Sequence, residues 1–87
     1  MITGKQRSYL RSLANSIPAI FQVGKNGIDE NVVRQFEEAL EARELVKASV
    51  LKNSFYTARE ACEEIAQAVN AEIVSVMGNK FVLYKES

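Results

Sequence analysis

Apolar positions along this chain keep two rhythms, one helical and one alternating. Leu10, Leu13 and Ala14 recur at helical spacing, and Thr3 followed three residues later by Gln6 has the form of a capping box. The pattern predicts a first helix over about residues 4–15. Its other face carries Lys5, Arg7, Ser8, Arg11 and Ser12. Pro18 cannot continue the helix and pushes Ile17 towards an extended backbone, so residues 19–23 read as a short strand. After a loop, Val32, Val33, Phe36, Ala39 and Leu40 form the apolar stripe of a second helix, 30–43. Asp29 is placed to cap it, with Ile28 and Val33 as a hydrophobic staple.

The rhythm then changes to a period of two. Val46, Ala48 and Val50 alternate with Lys47 and Ser49, which predicts a strand over 45–51. Asn53-Ser54 interrupts it. Thr57 and Glu60 repeat the capping-box spacing, and Ala61, Cys62, Ile65, Ala66 and Val69 define a third helix, 58–70. Two strands, 72–77 and 80–85, flank Gly78-Asn79, a pair suited to a type II′ hairpin turn. The order α-β-α-β-α-β-β implies an α/β fold. Helix-linked strands require some parallel pairing and the hairpin is antiparallel, giving a mixed four-stranded sheet packed with helices.

Composition adds limits. Eighty-seven residues fit one domain, 1–87, and 47% hydrophobic with 25% charged is ordinary for a soluble globular protein. The longest uncharged stretch, 12–24, contains Asn15, Ser16, Pro18 and Gln22, so no membrane span is expected. The N-terminus lacks the apolar core of a signal peptide, which points to a cytoplasmic protein. Histidine is absent and cysteine occurs once, at Cys62 on an apolar helix face. This argues against a disulfide, a zinc site and a thiol nucleophile, and no metal, cofactor or small-molecule substrate is expected. Ser49, Ser54 and Ser75 have no general base in evidence from the sequence.

Charge is balanced at eleven basic and eleven acidic residues, yet unevenly spread. Residues 1–28 hold Lys5, Arg7, Arg11 and Lys25 and no acid. Residues 29–44 hold Asp29, Glu30, Glu37, Glu38, Glu41 and Glu44 against Arg34 and Arg43. A net charge of zero therefore leaves room for a local basic patch. The loop "GKNG", Gly24, Lys25, Asn26 and Gly27, lies between the first strand and the second helix. Two glycines allow close backbone approach and positive φ, helix-start amides favour phosphate, and Lys25 and Asn26 add a charge and a hydrogen-bonding amide. By pattern alone a plain turn is the better account of the same loop. Asp29 at the cap disfavours a phosphate directly on the helix end. Arg7 and Arg11, four apart on an acid-free helix, make a phosphate-tracking surface the better account. Lys80 and Lys85 on the last strand extend the candidate patch, and Tyr84 is either core or a stacking surface.

The chain resembles the YhbY-type CRM domain family. The resemblance lies in "ITGKQRSYLRSLA" at 2–14, "IFQVGKNGIDENVV" at 20–33, "EALEARELVKASVL" at 38–51 and "VMGNKFVLYKES" at 76–87. It implies a fold similar to the C-terminal domain of translation initiation factor three. It also implies RNA binding through a GxxG loop likened to that of KH domains, matching Gly24–Gly27. Stand-alone prokaryotic members are associated with large-subunit ribosome precursors, so the implied partner is ribosomal RNA and the role is ribosome assembly. The expected RNA-binding residues are Lys5, Arg7, Arg11, Gly24, Lys25, Asn26, Gly27, Lys80 and Lys85, with Arg7, Arg11 and Lys25 expected to be exposed. One rival is a protein-interaction module that docks on a ribosomal protein through the acidic helix. Another is a small RNA-directed enzyme, which the missing histidine disfavours.

Overall fold

The computed structural model describes residues 2–24, 27–52 and 54–86. The elements are α1 (Gly4–Ala14), β1 (Phe21–Val23), α2 (Glu30–Arg43), β2 (Leu45–Val50), α3 (Ala58–Val69), β3 (Glu72–Met77) and β4 (Lys80–Tyr84). The start signals act as read from the sequence. Thr3 and Thr57 each accept from the N3 amide while Gln6 and Glu60 reach back, forming two complete capping boxes. Asp29 accepts from the Val32 amide at 3.0 Å. Ends differ slightly: α1 stops at Ala14, and β4 stops at Tyr84 rather than Lys85.

The sheet order is β1-β2-β4-β3. β1 and β2 are parallel, with α2 as the crossover, and β4 is antiparallel to both β2 and β3. Gly78 has φ +60° while Asn79 does not have positive φ, the pattern of a II′ turn. Alternation sorts side chains between two apolar clusters. Val23, Val46, Ala48, Val50, Phe81 and Leu83 face α2 and α3 and meet Phe36, Leu40, Cys62, Ile65 and Val69. Phe36 is the pivot, with ring centroids 4.6 Å from Phe21 and 6.1 Å from Phe81. Burying such a ring contributes roughly 1.5–3 kcal/mol. On the other face, Val74 and Val82 pack against Ala14, Ile2 and Leu10 of the α1 region, and Tyr84 joins this cluster as a half-buried member. The molecule is therefore α1, sheet, then α2 with α3.

Candidate nucleic-acid interface

The register brings three connections to one end of the sheet. Val23 pairs with Val50 at the C-terminal ends of β1 and β2, and Ser49 pairs with Lys80 at the start of β4. The Gly24–Gly27 loop, the 51–57 segment and the β3–β4 hairpin thus share this end. Backbone bonds tie them together: Leu51 N donates to Val23 O at 2.9 Å, and Val50 N donates to Asn79 O at 2.7 Å.

The two glycines differ in their demands. Gly27 N donates to Gly24 O at 3.0 Å, which holds the two glycines together. Gly27 has φ +73°, and a Cβ there would lie 3.3 Å from Cε2 of Tyr56. Gly24 has no positive φ, and a Cβ would meet only Leu51 Cδ1, at an ordinary 3.5 Å. The φ demand thus falls on one glycine, not both. Lys25 and Asn26 lie outside the described residues. Behind Gly27, the Tyr56 hydroxyl donates to Glu64; this bond, with burial and the charges of Glu64 and Glu60, raises the phenol above its ordinary pKa.

The basic candidates separate. The α1 flank bearing Gln6 and Tyr9 faces Glu72 and Tyr84 at the opposite end of the sheet. At 3.6 residues per turn, Arg11 lies on the other flank, turned towards the loop-bearing half, and is exposed. Lys80 is exposed on the same sheet face, as its alternation with Phe81 requires. Register lines up Gln22, Ser49 and Lys80 across β1, β2 and β4 on the α1 side, with Gln22 and Lys80 exposed and Ser49 buried between them. Lys5 is exposed but points away from the sheet, as its position on the helix dictates.

Two candidates have structural occupations. Arg7, expected to be exposed, is half-buried and its Nε donates to Ile73 O at 3.2 Å. Lys85 Nζ donates to Val69 O at 2.8 Å, capping the C-terminus of α3 far from the loop. The sequence reading missed Phe55, which is 88% exposed beside the loop. The signal was present: Tyr56 occupies the staple position before the Thr57 cap, which leaves the aromatic beside it without a core role.

Nothing in the surroundings of Cys62 suggests reactivity. Burial, then the Glu63 charge, against a smaller opposing effect of Arg59, pushes its thiol up to about 12. Among the described residues no group of three or more His, Cys, Asp or Glu side chains is arranged to hold a metal ion. Nor is any helix among them long and apolar enough to cross a membrane.

The chain is an α/β protein with a mixed four-stranded sheet between α1 and the α2–α3 pair, and a glycine loop joins β1 to the capped helix α2. The comparisons are specific: the description CRS1 / YhbY (CRM) domain matches residues 2–85, and the chain belongs to this family. It is 47% identical over 87 residues to the Bacillus subtilis protein named "Probable RNA-binding protein YqeI", covering 100% of this chain and 91% of that one. It is 34% identical over 86 residues to "Probable RNA-binding protein MJ0652" of Methanocaldococcus jannaschii, covering 97% of this chain and 63% of that one. A solution structure of a hypothetical Staphylococcus aureus protein, SAV1595, put forward there as RNA-binding, is similar with a TM-score of 0.74 and 46% identity. It covers 100% of this chain and 91% of that one.

Proposed function

We propose that this protein binds RNA, that its target is ribosomal RNA in large-subunit precursors, and that it assists assembly by binding without catalysis. The observation that carries the reading is the segregation of charge by the sheet. The acid-free helix α1 lies on one face, and α2 with exposed Glu37, Glu38 and Glu41 lies on the other. Arg11 and Lys80 share the α1 side with exposed Gln22, next to the glycine loop that carries Lys25 in the sequence. Cations there neutralise phosphates, and Gly24 leaves room for a backbone to approach. Such contacts hold a strand in place without reading its bases. The names of the bacterial and archaeal relatives support RNA as the partner. The ribosomal target rests on the family resemblance, since members of this family are associated with large-subunit precursors.

The test is the triple charge reversal Arg11→Glu, Lys25→Glu and Lys80→Glu. The expected result is a folded protein that has lost RNA binding at low salt. Single variants should each flatten the dependence of log K on log salt by about 0.7–0.9 for a single-stranded or duplex site. Wild-type affinity in the triple variant would overturn the reading. Crosslinking in cells followed by sequencing of the bound RNA tests the ribosomal assignment. The exposure of Glu37, Glu38 and Glu41 on α2 favours a second reading, docking on a basic ribosomal protein. Loss of ribosome association in Glu37→Gln, Glu38→Gln, Glu41→Gln with RNA binding intact would select it.

A further inference from the structure

Phe55 is 88% exposed, more than any other large apolar side chain among the described residues. It is not a loose end. Ser54 N donates to Leu51 O at 3.0 Å, Tyr56 N donates to Ser54 Oγ at 3.0 Å, and Thr57 caps α3 directly after it. The residue on its C-terminal side, Tyr56, turns inward against Gly27. The backbone between two fixed neighbours thus presents the Phe55 ring to solvent next to the glycine loop. Met77 at 68% and Leu51 at 39% exposure lie at the same end of the sheet, and exposed Lys52 precedes the ring by three residues. An aromatic displayed on a short, hydrogen-bonded turn, with Lys52 three residues before it and Lys80 at the same end of the sheet, has the makings of a stacking surface: every base offers a π-face, and cations at that end can hold phosphates.

We propose that Phe55 is a stacking platform for an unpaired base of an RNA strand whose backbone runs along the Gly24–Gly27 end of the sheet. This rests on the RNA-binding reading and narrows it to single-stranded segments, because a base inside a duplex has no free face to offer. The charge complementarity of Lys52 and Lys80 at this end selects a polyanion as the occupant.

The test uses the full chain with two probes at low salt: a 12-nucleotide oligoadenylate and a blunt RNA duplex of equal phosphate number. Phe55→Ala should retain the wild-type thermal midpoint, since the ring is exposed. It should weaken oligoadenylate binding by about 5- to 150-fold, leave duplex binding unchanged and keep the same salt slope. Phe55→Trp should bind at least as well as wild type. Because the chain contains no tryptophan, its emission reports only this site and should be quenched by oligoadenylate. Salt-dependent binding with Phe55→Ala equal to wild type and no quenching in Phe55→Trp would overturn the platform and leave RNA binding standing. No salt-dependent binding of either probe by the wild type would overturn both. A change from dimer to monomer in Phe55→Ala with unaltered RNA affinity would assign the ring to a contact between copies instead.

Discussion

Gly24 and Gly27 look equivalent as letters, but the backbone separates them. Gly27 needs a left-handed conformation with Tyr56 tight against it; Gly24 needs neither. Gly27→Ala should therefore cost about 1–2 kcal/mol of stability, measured by denaturant unfolding. Gly24→Ala should keep or slightly raise stability and still weaken RNA binding, because a Cβ obstructs the approach of a phosphate backbone. Equal RNA affinity in folded Gly24→Ala would show that no backbone comes close there. Arg7 and Arg11 diverge in the same way. Only Arg11 is free to be reversed without touching a structural bond, since Arg7 serves the Ile73 carbonyl.

Among the elements, α2 and α3 announce themselves locally. Their caps and stripes are complete in sequence, and their bounds differ from the expected ones by at most one residue. α1 depends on the sheet. Lys47 of β2 meets its last carbonyl and one just beyond the helix: Nζ donates to Ala14 O at 3.2 Å and Ile17 O at 3.4 Å. In the sequence, Lys47 and Ser49 read only as the polar side of a strand. In the fold that side is covered, and Ser49 is 7% exposed. Lys47→Met should cost about 1 kcal/mol or more and raise amide hydrogen exchange in α1 ahead of α2 and α3. Uniform exchange changes across all three helices would contradict a local anchoring role.

For the whole molecule, the decisive quantity is thickness against screening. The shortest principal extent is 20 Å, about two Debye lengths at 0.1 M salt. The acidic face of α2 is thus largely screened from a polyanion on the α1 side. Glu37→Gln, Glu38→Gln and Glu41→Gln together should leave the salt slope of RNA binding unchanged. A steeper slope would mean that RNA wraps onto the α2 face.

The sequence by itself determined the element order, the three helix caps, the hairpin turn and the concentration of basic charge in the first 28 residues. Each of these rests on neighbours a few positions apart, where backbone geometry and side-chain period act directly. Tertiary structure decided what is far apart in the chain. Placing β4 between β2 and β3 lines up Gln22, Ser49 and Lys80, joins Arg7 to a carbonyl 66 residues away, and sends Lys85 to cap α3. It also sets Tyr56 against Gly27 and so turns Phe55 outward. No local pattern encodes these meetings. They follow from burying two sheet faces at once, and that cooperative packing selects which cations serve the fold and which remain for a ligand.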